Sequence, residues 1–204
     1  MVLVKICGIT DLEGALAAVA AGADALGFNF WRPGRRYISP ARAAEIIAAL
    51  PASVWKVGVF VDEEPATVLR IARQAGVGVL QLHGAERPEY LDSLAPYSRW
   101  KAFRVDDSFR PEELARYRAD AFLLDSAGQT PGGTGLAFDW ERALAAKQFG
   151  RVILAGGLTP ENVGEAVRCV APWGVDVASG VESSPGKKDP RRIEHFVRAA
   201  RQAL

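Results

Sequence analysis

The sequence predicts an α/β protein, a (β/α)8 barrel with eight parallel strands that forms one compact domain over residues 1–204. Short runs of β-branched residues alternate with Ala-, Leu- and Arg-rich amphipathic stretches, a pattern typical of parallel sheets with crossover helices. The pattern repeats eight times and leaves no segment over, which favours a closed barrel over an open sheet. The turn after the first strand, Cys7-Gly8-Ile9-Thr10, also lacks the GxGxxG pattern of an open dinucleotide-binding sheet.

The predicted strands are short runs rich in Val and Ile, a composition that favours buried strands over helices. They cover residues 2–6, 23–28, 54–61, 77–82, 99–103, 121–124, 152–154 and 174–177. The predicted helices begin in most cases after a capping or acidic residue, and Pro40, Pro65, Pro111, Pro160 and Pro190 are expected just inside a first turn. They cover residues 11–21, 40–50, 65–74, 87–94, 111–117, 139–147, 160–170 and 190–203.

The composition excludes several classes of protein. The chain is 49% hydrophobic and carries 25 basic and 24 acidic residues, so it has apolar side chains for a core and no basic excess for a nucleic-acid partner. No apolar run reaches the roughly 20 residues that a membrane span needs, and the N-terminus lacks the pattern of a secretory signal. Cys7 and Cys169 are far apart, which suits a reducing cytoplasm and provides no metal framework. We therefore expect no metal and no cofactor, and a homodimer remains open.

Reactive or Gly-rich positions follow the predicted strands. Catalytic residues of a barrel lie at the C-terminal ends of its strands, so these positions are expected to surround one site. Gly156-Gly157 and Ser179-Gly180 follow the seventh and eighth strands, whose loops often bind phosphate through backbone N–H groups. A lone Gly-Gly sequence is more simply explained as a tight turn, but the occurrence of both turns after strands seven and eight favours a phosphate site. Residues 132–135, after the sixth strand, could form a lid or a third phosphate contact. The positions are Cys7, Asn29, Asp62, His83, Arg104, Asp125, Gly156, Gly157, Ser179 and Gly180.

Cys7 and Asp125 are candidates for an acid–base pair. They end the first and sixth strands, which lie three apart around an eight-stranded ring, so the two side chains can face each other across a substrate. A buried structural cysteine is the alternative for Cys7, and a cap or salt bridge is the alternative for Asp125. The free thiol would need activation to act as a base, and the sequence does not reveal its source.

Further polar residues fall near the same end of the barrel. The loop Trp31-Arg32-Pro33-Gly34-Arg35-Arg36-Tyr37 offers arginines for a carboxylate or phosphate, although Arg32 and Arg35 could simply be solvated. His83 could act as an acid or a base, or could orient a neighbour. Strand alternation could direct Asp176 into the barrel mouth, where it would need a donor. Residues 186–189 are expected to form an exposed loop or a helix cap.

Several motifs together resemble the phosphoribosylanthranilate isomerase family, and the resemblance extends from the first strand to the last helix. The resemblance is specific because the motifs occur in combination. At Ala155 and Ala178 the chain departs from the family's pattern, and both changes are conservative. The motifs are Val4-Lys5-Ile6-Cys7-Gly8-Ile9-Thr10, Arg36-Tyr37-Ile38-Ser39-Pro40, Val57-Gly58-Val59-Phe60-Val61, Leu80-Gln81-Leu82-His83-Gly84, Leu124-Asp125 with Gly133-Thr134-Gly135, Gly156-Gly157-Leu158 with Pro160-Glu161-Asn162-Val163, and Val175-Asp176-Val177-Ala178-Ser179-Gly180-Val181-Glu182 with Pro185-Gly186-Lys187-Lys188-Asp189.

The resemblance implies a metal-free Amadori rearrangement of N-(5-phosphoribosyl)anthranilate, a step of tryptophan biosynthesis. By carry-over, Asp125 is the general acid, Cys7 is the general base and Arg36 binds the anthranilate carboxylate. Another phosphosugar isomerase or epimerase, or a silent binding module, remains an alternative from the residues alone. The resemblance further implies that Gly156, Gly157, Ser179 and Gly180 bind the sugar phosphate and that Gln81, His83 and Asp176 support the site.

Overall fold

Eight parallel strands close into a barrel in sequential order, with the first strand paired to the last. The structure is a computed structural model and describes residues 1–126 and 140–203. The predicted (β/α)8 TIM barrel is confirmed. The strands are β1 Leu3–Cys7, β2 Ala25–Asn29, β3 Trp55–Phe60, β4 Val79–Leu82, β5 Ser98–Val105, β6 Ala121–Ser126, β7 Val152–Ala155 and β8 Gly174–Val177.

Helices follow the strands on the outside of the barrel, with the expected caps. Asp11 accepts a hydrogen bond from the Gly14 amide, and Ser39 accepts one from the Arg42 amide ahead of Pro40. No helix of the described residues is both long and apolar enough to cross a membrane. The helices are α1 Leu12–Ala20, α2 Pro40–Ala48, α3 Pro65–Ala75, α4 Pro88–Asp92, α5 Trp140–Ala146, α6 Val163–Val170 and α7 Pro190–Arg201.

Two of the predicted helices differ from the structure. The segment Pro111–Arg116 is a 3-10 helix with Leu114 as its buried anchor, a short form that connectors often take. The helix predicted from Pro160 begins instead at Val163. The Asn162 side chain accepts from the Thr159 amide and donates to the Gly157 carbonyl, so the residues before Val163 form a braced turn.

An antiparallel hairpin follows β8, where the sequence predicted an exposed loop or a helix cap. Its strands are β9 Glu182–Ser184 and β10 Lys187–Lys188. Lys187 is exposed, but Lys188 is buried. Its ammonium donates to Glu182 and to the Ala178 carbonyl, which compensates for the loss of water. The cap prediction is confirmed at Asp189, which accepts from two amides at the start of α7.

The barrel interior is formed by side chains that alternate along the strands. Val57, Trp100, Leu123 and Ile153 belong to one inner cluster, which is separate from the larger cluster between strands and helices. The register of β1 places Lys5 beside Ala25 of this cluster on one neighbouring strand and beside Asp176 on the other. Because side chains two residues apart share a face of a strand, Lys5 and Cys7 lie on the same side of β1.

Candidate active site

A cavity of about 210 Å³ lies at the C-terminal ends of the strands, where the sequence predicted the site. It brings together eight of the ten residues to which the resemblance assigns a role. Ser179 and Gly180 form a 3-10 turn directly after β8 and are not among its lining residues; a side chain on Gly180 would collide with the Leu158 carbonyl. The eight are Cys7, Arg36, Gln81, His83, Asp125, Gly156, Gly157 and Asp176.

Cys7 lies on a closed, charged wall of this cavity. Lys5 is fully buried, and its ammonium donates to Asp176 Oδ1 at 2.8 Å. The position that a Cβ on Gly27 would occupy is 2.7 Å from Cys7 Sγ and 3.1 Å from Lys5 Nζ. Thiol and ammonium therefore flank the same small space, which the absence of a side chain at residue 27 leaves open.

Burial raises the pKa of the Cys7 thiol above its ordinary value, and the Asp176 carboxylate adds to this, while the Lys5 ammonium opposes it. Burial alone would lower the pKa of Lys5, but the Asp176 carboxylate and Cys7 raise it above its ordinary value. Lys5 therefore stays charged at neutral pH. The cavity wall contains an ion pair beside a thiol that needs a cation to ionise.

Asp125 lies on a more open wall, at the end of β6, and one-third of its side chain is exposed. Its Oδ2 is 3.1 Å from His83 Nε2, and His83 Nδ1 is 3.0 Å from the amide nitrogen of Gln81. Because an amide nitrogen can only donate, this network assigns the ring proton to Nε2, which donates to the carboxylate. The other atom of the amide, Gln81 Oε1, is buried without a partner among the described residues.

Arg36 is held by a bidentate ion pair. Its Nε and Nη2 donate to the two carboxylate oxygens of Glu182 at 2.7 and 2.8 Å, and Lys188 donates to the same carboxylate at 3.0 Å. The Nη1 donors of Arg36 have no acceptor among the described residues. An anion can therefore bind to a guanidinium whose plane is already fixed.

Gly156 and Gly157 form the turn after β7 with φ angles of 79° and 66°, in the left-handed region that favours glycine. Such a turn exposes backbone N–H groups to the cavity and lets an anion approach closely. The braced turn ahead of α6 begins at the Gly157 carbonyl, which accepts from Asn162. The geometry can accommodate a phosphate beside Cys7 and Asp125.

A sequence model described as "N-(5'phosphoribosyl)anthranilate (PRA) isomerase" matches residues 4–199. The chain belongs to the PRA isomerase family. A protein of Geobacter sulfurreducens named N-(5'-phosphoribosyl)anthranilate isomerase is 52% identical over 202 residues, which cover 98% of this chain and 99% of the relative.

Two solved structures extend the likeness to the whole barrel. One is a phosphoribosyl anthranilate isomerase in complex with reduced 1-(o-carboxyphenylamino)-1-deoxyribulose 5-phosphate, with a TM-score of 0.90, 43% identity, and coverage of 99% of this chain and 100% of that one. The other is of monomers generated from the dimeric Thermotoga maritima enzyme, with a TM-score of 0.88, 42% identity, and coverage of 98% and 99%. Both likenesses place this chain's fold firmly among PRA isomerases.

Of the other predicted positions, Asn29 also lines the cavity of this PRA isomerase family member, whereas Arg32, Asp62 and Arg104 lie outside it. Arg32 packs over the Tyr37 ring at 5.7 Å and lines a separate cleft on the outer side of the loop after β2. Asp62 accepts from the Ala85 amide, and Arg104 lies within β5 with its side chain exposed. The glycines at 132–135 lie outside the described residues.

The sequence reasoning missed three charged residues next to the site: Lys5, Glu182 and Lys188. Each was quoted as part of a motif, but none was assigned a place in the site. The available signal was alternation, because Lys5 sits two residues before Cys7 in an apolar strand and so must be buried with it. A buried ammonium needs a carboxylate, and Asp176 was the acidic residue in the adjoining strand β8.

Proposed function

We infer that this chain is an N-(5'-phosphoribosyl)anthranilate isomerase of tryptophan biosynthesis. It converts an aminoaldose phosphate into 1-(2-carboxyphenylamino)-1-deoxyribulose 5-phosphate by an Amadori rearrangement. One observation carries the assignment of the chemistry: Cys7 and Asp125 line the same cavity at the ends of β1 and β6, with Arg36 and the Gly156–Gly157 turn beside them.

Asp125 acts as the general acid in the first step. Its carboxyl group gives a proton to the ribose ring oxygen, while His83 Nε2 holds the group through Oδ2. The bond from C1 to the ring oxygen breaks, and the nitrogen lone pair forms the C1–N double bond of a Schiff base. Gln81 and His83 are positioning residues in this step, because they fix the carboxyl group that donates.

Cys7 acts as the general base in the second step. Its thiolate takes the proton from C2, and the C–H electron pair forms the C1–C2 double bond as the iminium nitrogen regains its lone pair. The enolamine then gains a proton at C1 and loses the C2 hydroxyl proton to give the ketone. The product has the formula of the substrate, and the proton that has passed in net from Asp125 to Cys7 is redistributed through solvent before the next turnover.

The substrate is bound through its two anionic groups, the anthranilate carboxylate and the sugar phosphate, which lie at its opposite ends. Arg36 binds the anthranilate carboxylate with its Nη1 donors, and the Glu182 carboxylate keeps the guanidinium oriented. The sugar phosphate binds at the turns after β7 and β8, which use Gly156, Gly157, Ser179 and Gly180. Gly180 supports this arrangement by its close packing on Leu158.

Three broader predictions belong to the same proposal. The chain acts as one domain, because the barrel elements run from Leu3 to Arg201. It acts in the cytoplasm, where unpaired cysteines such as Cys7 and Cys169 stay reduced. It forms a homodimer, as the Thermotoga maritima relative is said to do. Light scattering of the purified chain tests the last prediction, and a monomeric mass at micromolar concentration would contradict it.

The experiment that tests the function is a steady-state assay in buffer with a chelator. We expect the wild-type chain to convert N-(5-phosphoribosyl)anthranilate, and Cys7→Ala and Asp125→Asn each to lose about 10²–10⁴-fold in kcat. Cys169→Ala is the matched control, because this thiol lies exposed on α6 and should not affect turnover. Variants of Cys7 or Asp125 within about tenfold of wild type would contradict the assigned roles.

A further inference from the structure

As a base Cys7 needs a counter-ion, because a half-buried thiolate without a neighbouring cation is costly to form. The Gly-rich turns follow β7 and β8, not the strand that carries Cys7. The described residues place three cations near Cys7, which are Lys5, Arg36 and Lys188. Arg36 and Lys188 are both paired to Glu182, so their charge is already shared with a carboxylate outside the cavity wall. Lys5 is the cation on the same strand and the same face as Cys7.

Lys5 has hydrogen-bonding capacity to spare. An ammonium has three N–H donors, and within residues 1–126 and 140–203 the only oxygen that accepts from Lys5 Nζ is Asp176 Oδ1. The ammonium and Cys7 Sγ both lie within 3.1 Å of the space above Gly27. A fully buried donor that is only partly used thus borders the same small space as the sulfur atom.

We propose that Lys5 is a positioning residue of this reaction: Asp176 holds its ammonium beside Cys7 Sγ, where it serves as the counter-ion of the catalytic thiolate. The inference rests on the proposed function, since it assumes that Cys7 is the base. Lys5 itself gives up no proton. When Cys7 takes the C2 proton, the wall changes from a thiolate, an ammonium and a carboxylate to a neutral thiol beside an intact ion pair.

Asp176 has two opposing effects in this arrangement. It keeps Lys5 charged, and its own charge disfavours the thiolate. The other charged groups near Cys7 must be considered in any pH experiment, because each shifts the ionisation of the thiol. The groups that face Cys7 are Lys5 of β1, Asp176 of β8, Lys188 of β10 and Arg36 of the loop after β2, with His83 and Asp125 across the cavity.

The test is the pH dependence of Cys7 alkylation by iodoacetamide in a Cys169→Ser background, which leaves one thiol. Lys5→Met should move the alkylation midpoint to higher pH by about 1–3 units. The rising limb of the kcat/KM profile should move by the same amount, so that activity lost at neutral pH returns under alkaline conditions. Lys187→Met is the matched control, because it removes one exposed lysine near the barrel mouth and should leave both profiles unchanged.

An unchanged alkylation midpoint in Lys5→Met would overturn the proposal, as would an activity loss of the same size at every pH. If Lys5→Met does not fold, NMR titration of the wild-type chain replaces it: the Lys5 Nζ and Cys7 Cβ signals should titrate together, and independent titrations would overturn the proposal. Alkylation needs no substrate. Absence of isomerase activity in the wild-type chain would therefore refute the proposed function while the alkylation midpoint still reported on Lys5, and full activity of Cys7→Ala would contradict the role of Cys7 as the base.

Discussion

Two buried lysines of the barrel strands, Lys101 and Lys5, differ in how completely their ammonium groups are used. Lys101 of β5 donates to Glu86 at 3.0 Å and also to three backbone carbonyls, those of Leu82, Gly84 and Ala102. Lys5 of β1 donates to Asp176 alone among oxygen acceptors of the described residues. The fully bonded lysine fixes a loop, and the partly bonded lysine lies next to the Cys7 thiol.

The two lysines also differ in how their pKa values shift. Burial lowers the pKa of Lys101 below its ordinary value although Glu86 opposes this. At Lys5 the nearby carboxylate and thiol outweigh burial and raise the pKa. The comparison teaches that a buried ion pair does not by itself identify a functional site. Lys5 differs from Lys101 because it keeps N–H donors that no described oxygen accepts, beside the Cys7 thiol.

The largest expected effect concerns stability. Lys101→Met leaves Glu86 charged and buried without its partner, so we expect the free energy of unfolding to fall by about 3–5 kcal/mol in urea titrations. The double variant Lys101→Met/Glu86→Gln should recover part of this loss, because no unpaired charge remains. A double variant as unstable as the single one would mean that the loss comes from packing and not from the charge.

The next largest effect concerns catalysis and the space above Gly27, which Lys5 and Cys7 flank. Gly27→Ala places a methyl group 2.7 Å from Cys7 Sγ, and the displaced thiol should lower kcat by about a hundredfold. Gly78→Ala is the matched control in the loop before β4, since a Cβ there meets no atom within 4 Å. Equal kcat values for the two variants would show that the space above Gly27 does not matter for catalysis.

Substrate binding should be affected less than catalysis. Arg36→Met removes charged hydrogen bonds to the anthranilate carboxylate and should raise KM by about 10- to 100-fold with a smaller change in kcat. Arg32→Met, in the outer cleft, should leave KM unchanged. A substrate analogue with aniline in place of anthranilate should bind wild type and Arg36→Met equally, and a persisting difference would contradict the contact.

The smallest effect is the acid stability of the Glu182 ion pairs. Burial alone would raise the pKa of Glu182, but Arg36 and Lys188 lower it below its ordinary value. A lowered folded pKa stabilises the chain above the ordinary pKa of about 4.3, and this stability is lost as pH falls through the folded pKa. When the pH is lowered below that value, the Tm of Glu182→Gln should therefore fall by about 2–4 °C less than the Tm of the wild-type chain. Parallel Tm curves would contradict it.

The fold was predictable because strand and helix residues differ so clearly in composition. All eight strands were located, and Ser39 and Asp189 capped helices as expected. The start of α6 was predicted too early, because Pro160 alone does not reveal that the Asn162 side chain closes a turn ahead of the helix. Such side-chain turns depend on atoms that a residue pattern does not specify.

The ring of strand-end residues was predictable for the same reason, since a barrel brings the ends of its strands together. Six of the ten strand-end positions line one cavity. The ion pair beside Cys7 was not predictable from local sequence, because Lys5 and Asp176 are 171 positions apart and meet only through the pairing of β1 with β8. Glu182 and Lys188 meet through a hairpin that was expected to be a loop.

The most direct measurement of the proposed roles is the kinetic isotope effect on kcat with substrate deuterated at C2. In Cys7→Ser the weaker base should make C2–H cleavage limiting, so the isotope effect should be larger than in wild type. In Asp125→Asn ring opening should become limiting, so the isotope effect should approach unity. Equal isotope effects in the two variants, or the reverse order, would contradict the assignment of Cys7 as base and Asp125 as acid.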